Sequence, residues 1–204
     1  RKLRFFGYTI ISDDEHFGDN VLTGEDINDD GYDDIVVAAS QSDANGTDSG
    51  ILYMYFGSAA GISTSSAGTV TGNEAEATFG SVMDWAGDVN GDGYADLVIG
   101  NRNNDTTGTD MGAAYIYYGS AGGFGSAPSV VWYGSPTVYS ASSAYDYDYF
   151  GYDVAGLGDI NGDGYDDVAV SAPYHDSNGA DAGKVYIYLG SANGISATAD
   201  YARY

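Results

Sequence analysis

The chain has 204 residues, 43% of them hydrophobic, and carries 30 acidic against six basic side chains, a net charge of −24. That hydrophobic share excludes a disordered acidic tail, and the negative field excludes nucleic acid and anionic membranes as partners. The absence of cysteine excludes disulfides, thiol catalysis and zinc-thiolate sites, and no apolar run is long enough to span a bilayer.

From the N-terminus, Leu3 to Phe6 reads as the end of an outer strand, because Gly7 falls in phase with Gly72 and Gly134. Phe17-Gly18 precedes a first short strand, Asp26 to Asp34 (DINDDGYDD) forms an aspartate-rich loop, and IVVAA from Ile35 is a second strand. After a polar loop from Ser40 to Ser49, Gly50 opens a third strand, ILYMYFGS. In it Tyr53 and Tyr55 point one way and Leu52, Met54 and Phe56 the other, so both faces are apolar. Gly61 closes the next turn, and Thr69-Val70-Thr71 makes a weaker fourth strand.

The same order returns twice. Phe79-Gly80 leads to DVNGDGYAD (Asp88 to Asp96), LVIG from Leu97, AAYIYYGS after Gly112, and Val130-Val131-Trp132. Phe150-Gly151 leads to DINGDGYDD (Asp159 to Asp167), VAVSA from Val168, KVYIYLGS after Gly183, and Tyr201-Ala202-Arg203. The repeat is 62 residues long at first (88 − 26) and then 71 (159 − 88), with the added length between Ser135 and Tyr149. The expected divisions are 1–16 as the end of a preceding unit, then 17–72, 73–134 and 135–204.

Each aspartate-rich loop has the chemistry of a calcium site. Positions one, three, five and nine offer side-chain oxygens and position seven its backbone carbonyl, the all-oxygen shell that Ca²⁺ prefers. The expected ligands are Asp26, Asn28, Asp30, Tyr32 and Asp34; Asp88, Asn90, Asp92, Tyr94 and Asp96; and Asp159, Asn161, Asp163, Tyr165 and Asp167. A solvated Asp/Gly turn is the alternative for any one loop, but three in one register argue for three ions. They would add six positive charges and leave −18, so stability is expected to depend on calcium and salt. Loops of this kind suit the roughly millimolar affinity of extracellular modules, which points to an extracellular or cell-surface setting.

No segment has a helical period, and short strands apolar on both faces fit sheets packed face against face as propeller blades. The order Phe-Gly, Asp-x-Asn-x-Asp-Gly-x-x-Asp, an apolar strand ending near Ala-Pro, then Gly-x-Val-Tyr-x-Tyr-x-Gly resembles the FG-GAP repeat of integrin α-subunit propellers. The Ala-Pro element of that pattern is kept only at Ala172-Pro173. The resemblance implies an all-β propeller of antiparallel four-stranded blades, calcium in the hairpin between the first two strands, and partner binding at the opposite end. Three blades are fewer than the four to eight that usually close a ring, so the chain is expected to be an incomplete ring or a subunit of an assembly.

The loops opposite the calcium hairpins include the tyrosine-rich stretch from Ser135 to Tyr149, where Tyr139, Tyr145, Tyr147 and Tyr149 are candidate contacts for a protein or glycan ligand. Asn45-Gly-Thr47 and Asn104-Asp-Thr106 are N-glycosylation sequons on the same loop family. His16 and His175 are the only histidines, neither in a catalytic motif, and no nucleophile elbow or phosphate loop occurs. The expected function is a non-enzymatic, calcium-stabilised adhesion or recognition segment. The alternatives are a structural protein that self-associates through open blade faces into a ring or fibre, and an accessory binding module of a secreted polysaccharide-active enzyme.

Overall fold

The structure, a computed structural model, describes residues 15–135 and 147–204. The strand expected at Leu3 to Phe6 and the loop tyrosines Tyr139 and Tyr145 lie outside the described residues.

Twelve short strands form three antiparallel four-stranded meanders. The first is β1 (Asn20–Thr23), β2 (Ile35–Ala39), β3 (Ile51–Tyr55) and β4 (Gly68–Thr71). The second is β5 (Val82–Gly87), β6 (Asp96–Asn101), β7 (Ala113–Tyr117) and β8 (Val130–Tyr133). The third is β9 (Val154–Gly158), β10 (Asp167–Ala172), β11 (Lys184–Tyr188) and β12 (Tyr201–Arg203). These are the strands expected of three blades, and no sheet closes into a ring among the described residues.

The two-sided apolar pattern is spent on seams between blades. Val36, Ala38, Leu52, Met54 and Val70 of blade 1 pack on Phe79, Leu97, Ile99, Tyr115 and Tyr117 of blade 2. Val98, Ala114, Ile116 and Trp132 on the other face of blade 2 pack on Phe150, Val168, Val170 and Tyr188 of blade 3. Each fully buried Leu, Ile or Val there contributes about 1.5–3 kcal/mol relative to exposure. The Tyr-x-Tyr pairs of blades 2 and 3 therefore face the blade before them. Inner strands meet along the same line: Trp85 Nε1–H of β5 donates to the Thr23 carbonyl of β1 (3.3 Å), and Gly156 N–H of β9 donates to Asp84 Oδ2 of β5 (3.1 Å).

Glycine sets the closeness of these seams. A Cβ on Gly50 would lie 2.3 Å from the Phe79 carbonyl oxygen, and one on Gly112 would lie 2.0 Å from that of Phe150. At Phe79 and Phe150 the Phe-Gly signature thus marks where the leading corner of blades 2 and 3 meets the start of the third strand of the blade before. Gly183 holds this position in blade 3, and its nearest neighbour is Pro173 of its own blade. The outward face of blade 3 accordingly leaves Val185 and Tyr201 exposed.

Candidate metal centres

The three aspartate-rich loops lie in the β1–β2, β5–β6 and β9–β10 hairpins, all at one end of the blades. Their polar organisation is the same three times over. Asp88 Oδ1 accepts the N–H groups of Gly91 (2.7 Å) and Asp92 (3.1 Å), and its Oδ2 that of Gly93 (2.9 Å). Asp159 takes Gly162, Asp163 and Gly164 at 2.7, 3.1 and 2.9 Å. Asp26 takes Asp30 (3.1 Å) and Gly31 (2.6 Å).

The third and fifth positions join the same set. The Asp92 N–H is shared between Asp88 Oδ1 and Asn90 Oδ1 (2.8 Å), so two expected ligand oxygens converge on one amide. The Asp163 N–H is shared in the same way by Asp159 and Asn161, and the Asp30 N–H by Asp26 and Asn28. Asp30, Asp92 and Asp163 each accept the N–H of the tyrosine two residues on, at 3.0–3.1 Å. The loop amides, first that of Gly164, hold the Asp159 carboxyl below its ordinary range.

The ninth aspartate behaves differently. Asp34, Asp96 and Asp167 are 0% exposed. Each clamps the loop to the end of the third strand. Oδ2 accepts Ile27, Val89 or Ile160 N–H at 2.9–3.0 Å, and Oδ1 accepts Gly57, Gly119 or Gly190 N–H at 2.8–2.9 Å. Burial pushes Asp96 up to about 7 against the pull of the two amides, and it raises Asp34 likewise. The glycine amides were absent from the sequence reading, although a glycine two residues past each Tyr-x-Tyr was a visible signal.

The donor chemistry fits a hard cation. Each ionised carboxylate oxygen has two lone-pair directions; Asp88 Oδ1 and Asp159 Oδ1 each accept two N–H groups, while Oδ2 of both accepts one and retains acceptor capacity. Among the described residues, however, no three His, Asp or Glu side chains form a ready cation cage. The carboxylates are held by amides, as like charges require, and gathering them onto one point would take a positive ion to offset their repulsion.

Consecutive loops are also stitched together. The eighth residue donates to the first residue of the loop before it: Ala95 N–H to the Asp26 carbonyl (3.3 Å) and Asp166 N–H to the Asp88 carbonyl (3.2 Å). Asp166 Oδ2 accepts the Asp88 N–H in return (2.8 Å).

With this geometry in place, the FG-GAP repeat model matches residues 17–55, 79–117 and 150–188, each segment running from Phe-Gly to the second tyrosine of Tyr-x-Tyr. The chain belongs to the FG-GAP repeat family. It is 40% identical to integrin alpha-6 of Homo sapiens over 110 residues, which is 53% of this chain and 8% of that protein. Integrin alpha-8 of Mus musculus is 32% identical over 177 residues (82% and 14%), and integrin alpha-5 of Xenopus laevis 29% over 188 (90% and 16%). This FG-GAP chain therefore spans between 8% and 16% of the length of these integrin alpha chains.

At the opposite end of the blades, Tyr147 and Tyr149 are half-buried and stand 5.7 Å apart, and Tyr149 meets the exposed Tyr174 edge-on at 5.3 Å. Of the sequons, Asn45 is exposed, its Nδ2 donating to the Gly72 carbonyl (3.2 Å). Asn104 is 2% exposed, with Nδ2 bonded to Glu74 and to Tyr115 Oη (3.2 Å), so a glycan there would break a buried network. His16 is exposed. His175 is buried, and its Nδ1 accepts the Ser177 N–H (3.1 Å), so Nε2 carries the proton of the neutral ring. Ser177 Oγ (3.4 Å) and Asp148 Oδ2 (3.9 Å) both lie beside that one nitrogen. A hydroxyl–imidazole–carboxylate relay needs them on opposite nitrogens.

Proposed function

We propose that this chain is a calcium-stabilised FG-GAP propeller segment serving in extracellular adhesion or recognition, without catalytic activity of its own. The observation that carries the reading is the threefold recurrence of one amide-organised Asp/Asn/Asp/Asp set at one end of the blades. Each ion would be held by the side chains of positions one, three, five and nine and the carbonyl of Tyr32, Tyr94 or Tyr165. Its role is structural: it cancels carboxylate repulsion at the hairpin that locks one blade to the next. Affinities of about millimolar order would keep the sites loaded outside cells.

The recognition surface is the opposite end, where the β2–β3, β6–β7 and β10–β11 loops meet the links between blades. Tyr147, Tyr149 and Tyr174 supply aromatic area with polar tips for a protein or glycan ligand. The units are taken as 17–72, 73–134 and 135–204. Isothermal titration with calcium tests the reading directly: three sites and a calcium-dependent melt are expected, and no calcium uptake would overturn it.

A second reading, self-association, draws on blade 3. A cleft of about 370 Å3 lined by Gly183, Lys184, Arg203 and Tyr204 stands where Gly50 and Gly112 receive the next blade's phenylalanine. Among the described residues, none lies within 4 Å of the Cβ position of Gly18, beside Phe17. Head-to-tail contact of these two corners would give rings or fibres, visible by electron microscopy in calcium.

A further inference from the structure

The buried histidine of blade 3 has a counterpart in blade 2. His175 and Asn104 each stand three residues past the end of the second strand, both are 2% exposed, and each donates its N–H to the carbonyl of that strand's last residue, Ala172 or Asn101, at 3.3 Å. Asn104 Oδ1 accepts the Thr106 N–H and His175 Nδ1 the Ser177 N–H, both at 3.1 Å, so in each blade this side chain closes the turn that leaves the strand. Asn104 Nδ2 donates to Glu74 of the link entering blade 2, and His175 Nε2 faces Asp148 of the link entering blade 3 at 3.9 Å. The first tyrosine of Tyr-x-Tyr completes both sets: Tyr115 Oη accepts from Asn104 Nδ2 (3.2 Å), and Tyr186 meets the His175 ring edge-on at 6.0 Å.

One network is thus built on an amide in blade 2 and on an imidazole in blade 3, and the two respond differently to a proton. An amide oxygen accepts at any ordinary pH, whereas imidazolium carries a donor on both nitrogens and no acceptor. Protonation of His175 sets Nδ1–H against the Ser177 N–H, donor facing donor, and that bond must break. Burial first and then Lys184 of β11 oppose the proton, and Asp176 of the same loop favours it. Asp148 lies beside Nε2, and Lys184 Nζ stands over the rings of Tyr186 and Tyr204 (4.6 and 5.0 Å), the latter ring 6.3 Å from the imidazole. Tyr174 precedes His175 and Tyr149 follows Asp148 in the chain, so the histidine–carboxylate pair and the tyrosine pair that meets edge-on at 5.3 Å join the same two segments.

We propose that His175 is a pH-operated latch on this tyrosine patch. As the neutral ring it ties Ser177 down and keeps the β10–β11 loop, with Tyr174, closed against the link that carries Tyr149. As imidazolium it releases Ser177, is drawn by its charge toward Asp148, and the Tyr174–Tyr149 contact opens. The role given to the latch rests on the reading of this end as the recognition surface: a partner held in neutral surroundings is let go in acidic ones. Blade 2, with Asn104 in the same place, keeps its loop closed in both.

The test follows the whole chain by NMR in constant calcium as pH is lowered from neutral through 6.5 and below. The ring nitrogens of His175 report its protonation, hydrogen exchange of the Ser177 amide reports the latch, and the nuclear Overhauser contact between Tyr174 and Tyr149 reports the patch. On protonation the Ser177 amide is expected to lose about tenfold in protection and the tyrosine contact to fade, while the Thr106 amide of blade 2 keeps its protection. His175→Asn should keep both signals at every pH, which separates the latch from any acid loss of calcium. Should that variant fail to fold, the comparison of Ser177 with Thr106 in the unaltered chain decides alone. A Ser177 amide whose protection survives His175 protonation, an equal loss at Thr106, or the same loss in folded His175→Asn would overturn the assignment. None of these readouts needs a ligand, so a failed latch is seen apart from a failed recognition reading.

Discussion

Asp166 and Asp88 are bonded twice across a blade boundary, the Asp166 carboxylate accepting the Asp88 N–H at 2.8 Å and the Asp88 carbonyl accepting the Asp166 N–H at 3.2 Å. The expected ligand loops of blades 2 and 3 are thereby one polar unit. Asp166→Ala removes the carboxylate and leaves the Asp88 amide to water. We expect a loss of about 1.5–3 kcal/mol, the scale of a hydrogen bond to a charged acceptor. Urea denaturation in constant calcium checks it.

Chelation should lower the melting temperature, since the nine expected ligand aspartates of the three loops would then repel one another without a counter-ion. In the same assay Asp92→Ala should reduce bound calcium from three ions to two, read by calorimetry. An unchanged melt with and without chelator argues against calcium at these loops.

Position four of the loops predicts a gain in stability. Gly91 and Gly162 stand there with φ of 74° and 78°, and Asp29 is forced to φ 56° in the first loop. Asp29→Gly relieves a left-handed side chain and removes one negative charge. The expected change is a stabilisation of about 0.5–1 kcal/mol, measured by chemical denaturation in calcium.

Two equivalent glycines should respond unequally to alanine. Gly112→Ala puts a Cβ 2.0 Å from the Phe150 carbonyl oxygen, so the second seam must part, at a cost of about 3 kcal/mol or more. Gly183→Ala meets only Pro173, its nearest atom at 3.0 Å, and should cost about 1 kcal/mol, chiefly from its positive φ. Thermal melts of the pair decide it; equal losses would mean that seam closeness is not what Gly112 serves.

His175 gives a pH dependence. Burial first, then the Lys184 charge, hold its imidazole below the ordinary value of 6.5, against the pull of Asp176, while Asp148 lies 3.9 Å from Nε2. The unfolded chain therefore binds the proton more readily than the folded one. The contribution is complete above pH 6.5 and is lost as pH falls below it, down to the folded value. His175→Asn, the residue of the equivalent Asn104, should flatten the stability profile below pH 6.5.

Much of this was legible along the chain, because a repeat states its own alignment. The recurrence of Phe-Gly, the aspartate loop and Tyr-x-Tyr at constant spacing determined the strands, and apolar residues on both faces of β3 and β7 required a sheet on either side. The types and spacing of the loop oxygens determined what kind of ion they suit. What only the tertiary structure decided depends on residues far apart in sequence. Asp34, Asp96 and Asp167 are buried clamps because a glycine amide 23 residues away reaches their free oxygen. Gly112 is needed because Phe150 arrives from the next blade. Trp132 is buried because Tyr188 of the next blade stacks on its ring, which is a property of packing that no local pattern carries.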